Sequence, residues 1–227
     1  MGESAMLESS GFWSNLMDEA SRVGYGKAIQ RSMYSVTNKH LQIRRVEVIC
    51  LEREHLNARA PKNDTALSSR LATEEDLLAM REAGRWDISN ELLEDFRSGN
   101  SCLLSYVDGN LAGYTWIHND GRPQILPGLR IRVPEEYLYN YAGYTDPEFR
   151  GRKLQSFRHD AVLNLPQWRS KKGMFGYVEC TNWSSKKGQS KSGYTKVGEV
   201  SLIGRGNRFL AHFSNELKSL GIRRLHA

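Results

Sequence analysis

The chain has 227 residues, with 32 Lys and Arg against 26 Asp and Glu, 39% hydrophobic residues and six prolines, the composition of a globular protein rather than a disordered one. No apolar run approaches the roughly 18–20 residues of a membrane-spanning helix, and Met1–Ser10 has neither a basic start nor a hydrophobic signal core, so a cytoplasmic protein with no transmembrane segment is expected. Cys50, Cys102 and Cys180 lack the spacing of a zinc site or a disulfide framework, which predicts reduced thiols and no metal. The net charge of +6 is uneven: residues 1–145 hold 16 basic and 20 acidic side chains (−4), residues 146–227 hold 16 and 6 (+10). An excess so localised suits a polyanionic partner, whether nucleic acid, an anionic membrane or a phosphorylated cofactor.

Phe12, Leu16, Met17, Ala20 and Val23 recur at helical spacing and predict a helix within Phe12–Val36, weakened by Gly24 and Gly26. Ser21–Val46 holds six Lys or Arg and no acid; it reads either as a membrane- or partner-facing segment or as a solvated face packed on its own domain. Residues 1–44 are taken as a helical extension and 45–227 as the main domain. Arg45–Glu52 alternates as a first strand, Ala60–Asp64 marks a loop, and Thr73-Glu74-Glu75-Asp76 opens a capped helix. A short helix over Asn90–Arg97 precedes the runs Cys102–Val107 and Leu111–His118, joined as a hairpin by Asp108-Gly109-Asn110. Asn119–Pro134, with three prolines, reads as a long loop. Glu136–Thr145 is a strand with Tyr137, Tyr139 and Tyr141 on one face, a stripe best explained by core packing. Arg150–Arg169 reads as a helix interrupted by Pro166, Met174–Thr181 as a strand, Asn182–Lys191 as a helix, and Tyr194–Ile203 and Arg208–Phe213 as the last strands. The order β-α-α-β-β-β-α-β-α-β-β makes an α/β (α+β) mixed sheet with helices on its faces.

The segment Thr145-Asp146-Pro147-Glu148-Phe149-Arg150-Gly151-Arg152-Lys153-Leu154-Gln155, placed between a strand and a helix, resembles the [Q/R]-x-x-G-x-[G/A] signature of the GNAT N-acetyltransferase superfamily. Its physics stands apart from the name: the free N–H groups of a helix start, the helix dipole, Gly151 and the charges of Arg150, Arg152 and Lys153 form a cradle for phosphate. Arg70-Leu71-Ala72-Thr73-Glu74-Glu75-Asp76-Leu77 and the run Asn182–Glu199 are similar to two further family segments. The likeness spans about Arg45–Phe213 and implies a mostly antiparallel sheet whose fourth and fifth strands splay around acetyl-coenzyme A. Lys153 and Gln155 stand where the pattern has glycine or alanine, and Gln189 where many members carry a tyrosine that protonates the leaving thiolate.

The resemblance implies direct acetyl transfer from acetyl-CoA to the amine of a small molecule, an amino sugar or amino-acid derivative. Carried over residue by residue, Arg150, Gly151, Arg152, Lys153, Leu154 and Gln155 would hold the diphosphate. The backbone at Tyr144 and Thr145 would pair with the pantetheine, and Asn182 would either meet its thioester end or cap the helix it precedes. Such chemistry needs a base for the ammonium and a proton for the thiolate. Glu179 is the first candidate for the base, ahead of Glu136 and Tyr144, against the plainer reading of a salt-bridged strand residue. Ser190, Tyr194 or water would replace the missing tyrosine. Cys180 reads as a small core residue, and His118 as an exposed or acceptor-touching residue at the loop mouth. A homodimer is compatible with the family. Two alternatives stand beside the enzyme: a non-catalytic acyl-CoA-binding module of the same fold, and a nucleic-acid-binding protein using Trp168, Phe175, Tyr177, Trp183 and Tyr194 among the basic residues. Nucleic acid is not the expected partner, because those aromatics alternate as sheet residues.

Overall fold

A computed structural model of the chain describes residues 20–21, 24–30, 42–57, 65–126, 128–205 and 208–225. Residues 25–30 are helical; the rest of the expected helix over Phe12–Val36 lies largely outside the described residues, as does the whole of the Ala60–Asp64 loop. The large sheet has eight strands in the spatial order β10 (Arg208–Phe213), β9 (Thr195–Arg205), β1 (Gln42–Glu52), β8 (Gly173–Glu179), β7 (Tyr137–Thr145), β4 (Asn110–His118), β3 (Ser101–Val107) and β2 (Leu67–Leu71). Every neighbouring pair is antiparallel except β7 and β8.

The first strand expected at Arg45–Glu52 is present, over Gln42–Glu52, and it is an internal strand. It pairs with β8 on one side and β9 on the other, in the middle of the carboxyl-terminal half of the sheet. Its sequence fits that place, since Val46, Val48 and Cys50 bury into one core and Ile49 and Leu51 into the opposite one, as expected of a strand covered on both faces. The edge position is filled by β2, whose sequence Leu-Ser-Ser-Arg-Leu alternates between half-buried and exposed residues and so gave no apolar run to detect.

One face of the sheet carries α1 (Arg53–Asn57) and α4 (Leu154–Asn164), with Leu56, Val162, Leu163 and Trp168 packed on Leu51, Leu103, Ile117 and Met174. The Arg53 guanidinium donates to the carbonyls of Leu163, Arg169 and Lys171, which satisfies backbone acceptors where Pro166 ends the helix. The other face carries α2 (Glu74–Glu82) and α3 (Asn90–Arg97) over Cys102, Leu104, Tyr114 and Trp116. Thr73 and Asp76 close a capping box at the start of α2, and Asp76 also takes a bidentate pair from Arg70 at 2.6 and 2.7 Å.

The expected long loop over Asn119–Pro134 is instead a hairpin of β5 (Gln124–Leu126) and β6 (Leu129–Arg132), extended by β11 (Arg223–Arg224) into a second, three-stranded sheet. Ile125, Leu126, Leu129, Ile131 and Val133 bury against Val48, Cys50, Tyr139 and Phe175. Three prolines obscured a short strand pair whose inward residues are all aliphatic. Tyr137, Tyr139 and Tyr141 do share this face, with Tyr139 stacked on Tyr141 and Tyr137 edge-on to Phe175. The last elements are α5 (Trp183–Lys191) and α6 (Asn215–Ser219). Among the described residues no helix is long and apolar enough to cross a membrane.

Candidate functional site

The site is built around the one parallel pair of strands. β7 and β8 are in register only over Tyr137–Tyr139 against Gly173–Phe175, although β7 runs on to Thr145 and β8 to Glu179. Gly176 stands at the point of divergence, where an added Cβ would lie 3.2 Å from the Asn140 carbonyl oxygen. Beyond it β7 keeps its pairing with β4 but carries a bulge: Tyr114 faces Tyr144 and Trp116 faces Tyr141, so three steps on one strand match two on the other. Ala142 takes the extra step at φ 44°. Ala142 and Gly143 are exposed even though their strand lies between two others. An internal strand with solvent at its backbone is the floor of a cleft, and its unpaired edge offers N–H and C=O groups to a ligand.

The cleft opens toward the basic loop. Asp146 is buried, accepts from the Glu148 N–H at 3.0 Å and pairs with Arg85 at 2.7 Å, fixing a single 3-10 turn over Pro147–Phe149. Gly151 at φ 84° and Lys153 at φ 57° then turn the chain into α4. The helix therefore starts at Leu154 rather than at Arg150 as the sequence suggested. Lys153 is its N-cap and supplies no side-chain hydrogen bond, whereas Thr73, Ser89 and Asn182 cap α2, α3 and α5 with side-chain oxygens. The first-turn N–H groups of α4 thus have no side-chain cap, with exposed Arg150, Arg152 and Lys153 beside them.

The other expected residues are divided between the walls. Tyr144 stacks on Tyr114 and meets Trp86 edge-on, both at 5.8 Å between centroids. Thr145 accepts from Arg158 through Oγ1 at 2.8 Å and from Arg150 through its carbonyl at 3.2 Å. Leu154 buries in a small core with Val107 and Ala112, so only its backbone can face a ligand. Gln155 donates to Gln189 at 2.7 Å, tying the start of α4 to α5 across the mouth of the cleft. Asn182 Oδ1 accepts from the Ser185 N–H at 3.1 Å, so the capping reading holds. Glu179 shares the Phe175 and Tyr177 side of β8 and meets Arg44 at 3.4 Å. Ser190 is exposed on α5. Tyr194 is buried, with its hydroxyl accepting from Asn140 Nδ2 at 3.0 Å and burial raising its pKa. His118 pairs with Asp120 at 2.8 Å, and burial lowers its pKa. The Cys180 thiol is raised by burial and by Glu179, which argues against a nucleophile.

Sequence reasoning passed over a polar layer beneath the cleft. Arg158, 2% exposed, donates to Ser105 and Thr145, and among the described residues no carboxylate pairs with it; burial lowers its pKa to about 10. His159 beside it is held to about 3, first by burial and then by Arg158, and its Nε2 lies 2.8 Å from Asn140 Nδ2. Asn140 also accepts from Thr115 at 2.6 Å. A signal was available: Leu154, Arg158 and Val162 fall four apart, which places an arginine on the core-facing stripe of the helix. Among the described residues no group of His, Cys, Asp and Glu could hold a metal.

The splayed parallel pair inside an otherwise antiparallel sheet decides the class of architecture. The fold is of the mixed α+β class, with one large, mostly antiparallel sheet and helices on its faces. No family model matches the chain, and no curated protein matches it. Among solved structures, the chain is similar to a functionally unknown conserved protein from Staphylococcus epidermidis, with 14% identity, a TM-score of 0.51, and coverage of 78% of this chain and 67% of that one. It is also similar to a GCN5-related N-acetyltransferase-like protein from Streptococcus suis (10% identity, TM-score 0.48, 81% and 68% covered). A third is a predicted acetyltransferase with acetyl-CoA from Clostridium acetobutylicum (15%, 0.41, 57% and 90%). The chain spans about two thirds of the length of the first two. In this chain β1 lies between β8 and β9.

Proposed function

We propose that the protein is an acyl-coenzyme A dependent N-acyltransferase of GNAT type, moving an acetyl group to the amine of a small molecule. The observation that carries this reading is the cleft itself: an exposed, bulged strand edge at Ala142–Gly143 that leads directly to an uncapped, arginine-flanked helix start. These residues fit acetyl-CoA. The first turn of α4 with Arg150, Arg152 and Lys153 would hold the diphosphate, and Gly151 would let the backbone approach it. The edge of β7 up to Tyr144 and Thr145 would receive the pantetheine amides. When bound, acetyl-CoA supplies an acyl group activated as a thioester.

The chain's own part is orientation and proton transfer. Glu179, on the face away from α4 and beside Arg44, would take the proton of the incoming ammonium directly or through water. Tyr194, held by Asn140 near the point where the strands part, or Ser190 on the neighbouring helix, would return a proton to the departing thiolate. Amino sugars and amino-acid derivatives are the acceptors proposed, in a cytoplasmic setting. The second reading, an acyl-CoA-binding module without catalysis, is favoured by one observation: Gln189, in place of the usual tyrosine, has its carbonyl engaged by Gln155.

Calorimetry with acetyl-CoA tests the site. Arg152→Glu and Gly151→Asp each put a negative charge beside the proposed diphosphate, and each should abolish measurable binding; unchanged affinity would remove the site. Release of free thiol with members of an amine library separates the enzyme from the module.

A further inference from the structure

The basic excess of the chain is not used up by the cofactor cradle. The outer face of the three-stranded sheet carries a second concentration of arginine, three of its four side chains coming from the part of the chain that is acidic on balance. Along β6 the residues alternate, with Leu129, Ile131 and Val133 buried and Arg130 and Arg132 exposed. Arg132 lies directly opposite Arg223 on β11. On its other side the bonds Ile131 N–H to Pro123 O and Val133 N–H to Gly121 O bracket Arg122, which is thereby opposite Arg132 as well. Arg122, Arg132 and Arg223 form one row across the sheet, all exposed, with neighbours about 5 Å apart at Cβ. Arg130 adds a fourth charge about 6.6 Å along the strand.

Like charges placed directly opposite one another destabilise a sheet, and such an arrangement is usually relieved by carboxylates. Among the described residues no ion pair is made by any of the four. Asp120, which is near in sequence, pairs with His118, and Glu136 with Lys172. The row is also rigid, because the inward residues Ile125, Leu129, Ile131 and Ile222 lock the sheet onto the main core.

We propose that this arginine face is a docking surface for the phosphate backbone of a nucleic acid, bound without base recognition and separate from the acyltransfer cleft. Four planar guanidinium forks on a fixed grid match a chain of regularly repeated phosphates. The outward residues of this sheet, Arg122, Gln124, Arg130, Arg132 and Arg223, include nothing apolar to insert into a lipid layer, which disfavours a membrane.

The test is fluorescence anisotropy of the full chain with a labelled single-stranded RNA of about 12 nucleotides across about 50–200 mM KCl. The triple variant Arg122→Gln/Arg132→Gln/Arg223→Gln is compared with Lys187→Gln/Lys191→Gln/Lys218→Gln, which removes the same charge from exposed positions elsewhere. The arginine variant should bind at least about 10-fold more weakly and lose about 2 units of the slope of log K against log salt, at roughly 0.7 per phosphate contact. The lysine variant should keep most of both. Arg132→Gln alone should move in the same direction by a smaller amount, and the melting temperature of each variant reports its fold. Equal weakening in both triple variants would overturn the proposal, since net charge alone would then explain binding. Equal competition by polyglutamate, or capture by phosphatidylserine vesicles with no RNA binding, would overturn the choice of nucleic acid.

Discussion

The two halves of β7 belong to one strand and do opposite work. From Tyr137 to Tyr139 its edge toward β8 is closed in register, β4 pairs with the other edge from Tyr139 onward, and its tyrosines lie in or against the core. From Ala142 to Thr145 the β8 edge is gone, the backbone bulges and solvent reaches the strand. The closed half supplies the burial that lets the open half remain unpaired. A strand that ended at Tyr139 would leave no cleft, and one paired throughout would leave no edge for a ligand.

The largest expected effect comes from breaking the closed half. Gly173 faces Tyr137 across the parallel pair and Glu52 across the antiparallel one, and a Cβ there would collide with the Leu51 carbonyl oxygen. Gly173→Val should destabilise the fold by at least about 3 kcal/mol in chemical denaturation. Loss below about 1 kcal/mol would show that the closed half is less tightly built than its register implies.

The next effect lies where the halves meet. His159 is held neutral in the fold, with its pKa at about 3, against about 6.5 in an unfolded chain. Between those values the unfolded state binds one more proton, so stability rises with pH and is lost as pH falls below about 6.5. At about pH 4.5 the loss should reach roughly 2–3 kcal/mol. His118, also lowered by burial, acts in the same direction. Asp76 and Glu199, lowered mainly by their hydrogen bonds to Arg70 and Lys196, lose stability only at more acid pH, within and below the ordinary carboxylate range. His159→Gln, which can still accept from Asn140, should flatten the pH dependence of the denaturation midpoint between about pH 6.5 and 4.5. An unchanged slope would place the proton elsewhere.

The parts of this region were not equally legible in the sequence. The loop that follows the open half was, because it is made of local signals: Pro147, Gly151 and three cationic side chains, followed by a helical pattern; the bulge at Ala142 that opens the strand was not. The order of strands around it was not. β2 has two serines and an arginine in five residues and is placed by its partner β3, which lies beyond α2 and α3, whereas β5 and β6 pair with each other but are too short, with Pro123 and Pro127 flanking β5, for periodicity to register. The place of β1 between β8 and β9 is set, like that of β2, by partners distant in sequence. The alternation of Val46, Val48 and Cys50 was readable, but not the burial of its second face through Ile49 and Leu51, nor which strands would cover its edges. The layer of Arg158, His159 and Asn140 was missed because polar residues on a helix or strand read as exposed until the neighbours that bury them are known.

Arg158 separates support of the fold from support of the cleft. It is a buried cation with no carboxylate partner among the described residues, bonded to Thr145 at the open end of β7 and given room by Gly113, where a Cβ would lie 2.7 Å from its guanidinium. Arg158→Met removes both the hydrogen bonds and the cost of burying an unpaired charge, so stability should change by less than about 1.5 kcal/mol. Acetyl-CoA affinity should nevertheless fall about 10-fold, because the strand end is no longer held and a positive charge near the diphosphate is lost. If affinity falls only as far as stability does, Arg158 supports the fold alone.

The smallest effect tests the cradle itself. Lys153 adopts a left-handed conformation at φ 57°, which costs an L residue roughly 1 kcal/mol and costs glycine almost nothing. Lys153 is also one of the two positions at which the loop departs from the pattern it resembles, which has glycine there. Lys153→Gly should therefore stabilise the protein by up to about 1 kcal/mol in equilibrium denaturation, reduced by the greater freedom of glycine in the unfolded chain. The same change removes one charge from the rim, at a cost to acetyl-CoA affinity of no more than about 1 kcal/mol if Arg150, Arg152 and the helix N–H groups carry the binding. A rise in stability with nearly unchanged affinity would assign the cradle to backbone geometry. A loss of affinity greater than about 10-fold would assign it to the lysine ammonium instead, and would show that the chain keeps a strained residue there for its charge.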